Sequence, residues 1–430
     1  VGGGVLGLHV ASRLSARGAR VCVLEAAPTI GGLAAAHSVG DLAWDKFYHV
    51  ILESDTRTRA LVASAGMSDA LQWSTTRTGF YAGGKFHSMS NSIEFLRFPP
   101  LSLLSKARLA WTILHASRIP DVTTLETELV EPWLRRHSGE ATFEGIWRPL
   151  LRAKLGDRYQ VTSAAFIGAT IARMYAARRA GLKQERFGWL PGGWAPVLER
   201  LHHTLCSRGV QVRCDAPVAS VAHGANGVTA TLVDGNQIRS DAAVLTTSCR
   251  HIEALCPQLS GAERERLQRV EYLGVQCVSV VLDRPLGPYY VTNITDDSAP
   301  FTAVIEMSAL VAGEALGARG LVYLPQYLAH DDPRWSDGDE QIVERALRGL
   351  ERLYPGARAT VQATRVARAR DVMALPTLHY SRDAMPSPTT SIPGVFIANS
   401  SQIGAGTLNV NETLGVADAA ERTLEVAGIL

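Results

Sequence analysis

Three glycines at the head of the chain, Gly2, Gly4 and Gly7, have G-x-G-x-x-G spacing, and an acid, Glu25, stands 23 residues after the first of them. Together they could bind a dinucleotide. Gly2 permits a tight turn, Gly4 lets the backbone approach a pyrophosphate, and Gly7 allows a helix to pack closely on a sheet. A helix starting after Gly4 would turn unpaired N–H groups toward the diphosphate, and Glu25 would accept hydrogen bonds from a ribose diol. Glu25 would repel a 2′-phosphate, which argues against NADP. A second cluster, Trp147-Arg148-Pro149-Leu150-Leu151-Arg152-Ala153-Lys154, offers Arg152 and Lys154 as anchors for an anionic substrate, with a solvated basic helix face as the plainer alternative. There is no Ser/His/Asp constellation, and the cysteines at 22, 206, 214, 249, 256 and 277 form no C-x-x-C, so no metal site is expected.

These residues need a strand–turn–helix–strand frame, and the apolar pattern supplies one. Leu6, Val10 and Leu14 recur every four residues as a helix face that Gly18 can end, and the apolar run 19–24 delivers Glu25 from a strand. After the Phe187–Gly193 stretch, Trp194, Val197, Leu198, Leu201 and Leu205 mark one face of another helix. Alternating strands are expected around 210–214, 218–223 and 228–233, with turns at 224–227 and 234–236, then a buried strand at 241–245. Residues 66–185 read as mostly helical, cut by Pro99-Pro100, Pro120, Pro132 and Pro149. Residues 251–369 read as mixed α/β, with a helix from Asp337 stopped by Pro355-Gly356.

The size and composition fit this frame. With 430 residues the chain should form two or three compact units. The net charge of +2 gives no reason to expect a nucleic-acid partner. No apolar run is long enough to span a bilayer, no signal peptide is visible, and the cysteine pattern suggests a reduced, cytoplasmic enzyme. The chain opens at Val1 without a Met, so residues upstream are expected.

Six and seven residues after Glu25 comes the pair Gly31-Gly32. With this pair the sequence resembles the FAD-dependent oxidoreductases that include protoporphyrinogen oxidases, carotenoid desaturases, flavin amine oxidases and UDP-galactopyranose mutases. The resemblance implies non-covalent FAD, with Glu25 on the adenosine ribose and the Gly31-Gly32 loop near the diphosphate and flavin. It departs at Leu33, where the family usually has Arg or Lys. By the same resemblance the backbone of Val218 would touch the adenine. The 393–399 segment matches the family's terminal strand, with Asn399 in place of the usual Asp. The loop through Gly404 to Glu412, with Asn409 and Val410 at a helix start, would lie against the flavin's pyrimidine edge. The implied fold is α/β: a Rossmann-type FAD-binding domain of glutathione-reductase type, with a β-meander, from 1–65, 186–250 and 370–430. A discontinuous mixed α+β substrate domain would come from 66–185 and 251–369.

The implied chemistry is hydride transfer from an organic substrate to flavin N5, a dehydrogenation like that of protoporphyrinogen oxidases and desaturases. The alternative is a mutase-like, non-redox reaction on a nucleotide sugar. An amine substrate is disfavoured, because the family's amine oxidases use a late lysine and this chain has none after Lys183, nor an aromatic after Phe396. His49, in Trp44-Asp45-Lys46-Phe47-Tyr48-His49, resembles a histidine that some relatives carry after the Gly-Gly loop, and could act as donor or base near neutral pH. A structural role is the competing explanation. The apolar 101–119 segment, interspersed with Lys106, Arg108 and Arg118, would either cover the core or make a peripheral membrane contact.

Overall fold

A computed structural model describes residues 1–176, 185–295, 299–405 and 407–430; the 177–184 segment, with Lys183, and Gly406 lie outside the described residues. Short parallel strands form the frame around the glycine loop. Cys22–Leu24 pairs in parallel with Gln211–Arg213, and Ala243–Leu245 with Val395–Ile397. Val1 and Gly2 join the two pairs. The Gly2 N–H donates to the Leu24 carbonyl at 2.8 Å, the Val1 amine donates to the Val244 carbonyl at 2.7 Å, and the Thr246 N–H donates to the Val1 carbonyl at 2.9 Å. The spatial order is therefore 211–213, 22–24, 1–2, 243–245, 395–397.

Helices cover this frame because their apolar residues recur on the helical period. Val5–Ala16 carries two apolar stripes. Val5, Leu8 and Ala11 pack with Val197, Leu198 and Leu201 of Ala195–Ser207, while Leu6 and Val10 pack with Val416, Ala417 and Ala420 of Val410–Val426. The second contact is reinforced by Glu421, which is buried and accepts from Arg13 Nε at 2.6 Å and Arg17 Nε at 2.8 Å. Val218–Gly224, Gly227–Leu232 and Gln237–Ser240 form a three-stranded antiparallel meander.

The largest sheet has seven strands in the order 361–374, 272–282, 320–329, 303–306, 291–294, 78–82, 85–88. Its strand Tyr272–Leu282 is buried along its whole length, as a strand covered on both faces must be. From Val275 onward the alternation divides its apolar side chains between two cores. Val278, Val280 and Leu282 meet Ile342, Ala346 and Leu350 of helix Asp339–Leu353, while Val275, Cys277 and Val281 meet Leu42, Trp44, Phe187 and Trp189.

The described part of 66–185 is mostly helical, as its pattern implies, with two refinements. First, the segment also contains the strands Gln72–Thr75, Thr78–Ala82 and Lys85–Ser88, and Thr78–Ala82 pairs in parallel with Val291–Ile294 at the edge of the large sheet. Second, Pro132 and Pro149 do not break helices. Pro132 lies in the first turn of Val130–Ser138, where a missing N–H costs no intrahelical bond, and Pro149 sits in a continuous helical run, directly after the π-helical turn Phe143–Trp147 and in the first turn of Arg148–Leu155. Among the described residues, no helix is long and apolar enough to cross a membrane.

Candidate active site

The glycine loop is shaped by collisions that side chains would cause. A Cβ at Gly7 would strike the Gly2 carbonyl oxygen, and one at Gly2, where φ is +110°, would strike Thr246 Oγ1. Gly4 is different. Its nearest neighbour on the Cβ side is Gly32 Cα at 4.0 Å, and no side chain caps the helix that begins after it. The second glycine pair closes on the same point. The Gly31 N–H donates to the Gly3 carbonyl at 2.8 Å, and a Cβ at Gly32 would sit 3.2 Å from Gly4 Cα. Two side-chain-free loops and an uncapped helix N-terminus therefore face each other, a geometry suited to a diphosphate.

Glu25 stands at the end of this loop. Its Oε2 accepts from the Gly3 N–H at 2.6 Å and its Oε1 from the Ala27 N–H at 2.8 Å, which fixes the carboxylate and leaves lone pairs for hydroxyl donors. Asp215 and Ala216 are tied by backbone bonds to Ala27 and Glu25, and this brings Val218, at the start of the meander, into the same neighbourhood. Leu33 packs among the apolar residues around Trp44 and Leu408 and supplies no charge.

At the other end of the frame, Asn399 is buried and spends its amide on the protein: Nδ2 donates to the Thr247 carbonyl at 2.8 Å, and Oδ1 accepts from the Ser401 N–H at 3.0 Å. It ties strands 243–245 and 395–397 together beyond their ends. Asn409 caps the last helix, its Oδ1 accepting from the Glu412 N–H at 3.1 Å, and Val410 is the first helical residue.

The two basic candidates are separated. Helix Arg148–Leu155 turns Arg148, Arg152 and Ala153 toward an outer cleft of about 600 Å³, and Leu150, Leu151 and Lys154 toward an inner cavity of about 370 Å³. Arg152 is 52% exposed, with Asp157 Oδ1 at 3.5 Å. The inner cavity also reaches Thr407, Leu408 and Asn409 at the start of the last helix, and is otherwise walled mainly by apolar groups such as Trp147, Phe166 and Met373. There Lys154 Nζ lies 3.4 Å from the centroid of the Tyr327 ring, and the Tyr327 and Tyr48 hydroxyls are 3.2 Å apart. Desolvation, with no carboxylate among the described lining residues to oppose it, pulls the Lys154 ammonium down to about 7. The other cation among the described wall residues, Arg173, is held by Asp55 through contacts of 2.7 and 2.9 Å.

His49 is not on the walls of that cavity. It lines a crevice of about 10 Å³ with Trp44, Gly193, Trp194 and Met307, room for about one water. Its Nδ1 has no hydrogen-bond partner among the described residues and lies 3.6 Å from Asp45 Oδ2. Asp45 is itself committed, accepting from the Trp194 N–H at 2.8 Å. Sequence reasoning missed Tyr327 and the Asp55–Arg173 pair. No local pattern marks them, because the partners of each pair come from distant segments.

The model of the family described as "Flavin containing amine oxidoreductase" matches residues 7–409. The chain belongs to this family. As a flavin containing amine oxidoreductase it is an FAD-dependent oxidoreductase, and the glycine loops, Glu25 and the uncapped helix fit that cofactor. Among relatives, the family member is 26% identical over 393 residues to a carotenoid phi-ring synthase of Streptomyces griseus, covering 84% of this chain and 74% of that one. Its fold is similar to that of a protein assigned as a protoporphyrinogen oxidase from Exiguobacterium sp. 255-15 (TM-score 0.78, 18% identity, 99% and 97% of the two chains covered). It is also similar to that of a reduced UDP-galactopyranose mutase (TM-score 0.74, 14% identity, 99% and 93% covered).

Proposed function

We propose that this oxidoreductase dehydrogenates a largely apolar organic substrate in the inner cavity, at a C–H/C–H or C–H/N–H bond, with non-covalent FAD as the hydride acceptor at N5. The observation that carries this reading is the cavity itself: mostly apolar walls, one lysine among the described residues, and a direct reach to the start of the last helix at Thr407–Asn409. In this reading residues 1–65, 186–250 and 370–430 form a Rossmann-type, glutathione-reductase-like FAD-binding domain with its meander, and 66–185 with 251–369 form the substrate domain. The parallel strand order around the glycine loop supports that division.

When bound, FAD supplies a two-electron acceptor. The chain's part is to hold and orient it. Gly4 and Gly32 admit the diphosphate to the backbone, Glu25 takes the adenosine ribose, and Val218 borders the adenine. The end of the last helix at Asn409 and Val410 offers N–H groups where negative charge gathers on reduction. Asn399 acts by bracing the two strand ends. Lys154 contacts the substrate from the inner wall, whereas Arg152 faces the outer cleft and could meet only a group that protrudes there. Of the two roles open to His49, the tight crevice favours the scaffold. A nucleotide sugar, the substrate of the mutase alternative, would need far more polar partners than this cavity offers. An amine, protonated near neutrality, would find no carboxylate among the described residues that line this cavity.

Anaerobic addition of candidate substrates tests the reading. Dehydrogenation bleaches the oxidised flavin, whereas turnover only after prior reduction would assign the mutase reaction. A peripheral membrane contact is also proposed, because Leu103, Leu104 and Trp111 on helix Leu103–Ala116 are 76%, 66% and 58% exposed on one face. Co-sedimentation with anionic liposomes that survives Trp111→Ser unchanged would remove it. A reducing, cytoplasmic setting is proposed as well, on the cysteine spacing, which has no C-x-x-C.

A further inference from the structure

We infer that Lys154 is the proton acceptor for the substrate oxidised in the inner cavity, and that Tyr327 is the residue that positions it. The inference rests on the reading of the cavity as the substrate chamber. Dehydrogenation removes a hydride and a proton. The hydride leaves one C–H bond with its electron pair and passes to the flavin. The pair of the adjoining N–H or C–H bond becomes the new π bond, and its proton is taken by the lone pair of the Lys154 amine, which becomes an ammonium.

Among the described residues lining the cavity, Lys154 is the one suited to this step. Arg173 stays protonated and is bound to Asp55. The hydroxyls of Thr170 and Thr407 and the amide of Asn409 are not bases near neutral pH, and burial holds the Tyr327 phenol in its protonated form. No carboxylate is among those lining residues. Among the described residues, the charged and titratable groups around the amine are Tyr327 from strand Gly320–Ala329, Arg173 from helix Ala164–Ala176, and Tyr48 beyond Tyr327. Arg148 and Arg152, on its own helix, face the outer cleft. Loss of solvent with no carboxylate to offset it pulls the ammonium to about 7, so neutral amine is present near neutral pH. The Tyr327 ring at 3.4 Å favours the ammonium once it forms, and the Tyr48 hydroxyl at 3.2 Å holds that ring in place.

The test does not depend on flavin reduction. The chain has only five lysines, so lysine-labelled holoprotein gives a sparse carbon-13 spectrum in which Lys154→Arg assigns the missing signal. One resonance should titrate near 7, and Tyr327→Leu should move its midpoint down, because the ring no longer favours the charge. As a probe of proton abstraction in the cavity, 5-nitrobenzisoxazole is opened when a base takes its ring C–H proton and the N–O bond breaks. The holoprotein should accelerate this with a rising limb near pH 7. Both Lys154→Met and Lys154→Arg should lose ~10²-fold or more, since a guanidinium keeps the charge but cannot accept the proton. Rescue by Lys154→Arg would instead make Lys154 a charge anchor and overturn the inference. A Lys154 signal titrating near the ordinary lysine value, or a wild-type protein inert toward the probe, would overturn it too. Failure of any candidate substrate to bleach the wild-type flavin would strike the chamber reading alone, because neither the titration nor the probe reaction uses the flavin.

Discussion

The proposed cofactor cradle and the inner cavity are built by opposite means. The cradle is backbone: glycines that exclude side chains, N–H groups at a helix start, and one acid held by two backbone donors. The cavity is made of side chains from segments far apart in the chain, with its charge set by what each neighbour does or does not neutralise. A backbone site tolerates almost no change at its glycines, whereas a side-chain site changes its chemistry one residue at a time.

The sharpest way to break this contrast is at the glycines. Gly7→Val should abolish folding of the frame, since even a Cβ there meets the Gly2 carbonyl, whereas Gly4→Ala should fold and lose FAD, because its Cβ has space in the protein but lies where a diphosphate would approach. Thermal melts and flavin content after gel filtration separate the two. A Gly7→Val protein that melts normally and stays yellow would refute the steric account.

Next in size is Glu25→Ala. Charge-assisted hydrogen bonds to a ribose contribute about 1.5–3 kcal/mol each, so two of them amount to roughly 10²-fold or more in FAD affinity. The ribose is remote from N5, so the rate of flavin reduction in the fully loaded variant should stay near wild type. FAD titration followed by anaerobic reduction measures both. Equal affinity in the variant would remove Glu25 from the cofactor.

The cavity has its own signature in stability. Lys154 has a folded value near 7 and an unfolded value near 10.5, so between these pH values the unfolded chain binds more protons and wild-type stability rises with pH. Lys154→Met should therefore raise Tm most below about pH 7, with the gain fading toward about pH 10. A gain that does not change with pH would mean that the lysine keeps its ordinary titration. His49→Ala should have the smallest effect: an earlier melt with FAD content near normal and flavin reduction within ~10-fold of wild type. A loss of ~10²–10⁴ in that rate without a change in Tm would instead make His49 an active-site residue.

What could be read from the sequence follows the same division. Gly2, Gly4, Gly7 and Glu25 announce themselves because steric exclusion and a fixed strand–helix–strand path write residue type and spacing together. The helices Ala195–Ser207 and Asp339–Leu353 were legible from their apolar period, and the meander from its turns. Pro132 misled because proline marks a helix start as readily as a helix end, and Pro149 because a π-helical turn carries the helix through it. Strand Thr78–Ala82 had a local signal, the Gly83-Gly84 turn that pairs it with Lys85–Ser88; only its second, parallel partner Val291–Ile294, some two hundred residues away, was hidden. Lys154 was visible as a charge, but its consequence was not. That depends on Tyr327 beneath it, on Arg173 being taken by Asp55, and on the helix turning Arg152 outward.

The most direct measurement is a crystal structure of the protein with FAD bound. The account expects the adenosine ribose on Glu25, the diphosphate between Gly4 and Gly32, and the flavin ring at Thr407–Asn409 with its open face toward the cavity that holds Lys154. A flavin ring directed away from that cavity, with Lys154 beyond reach of any molecule stacked on it, would contradict the account.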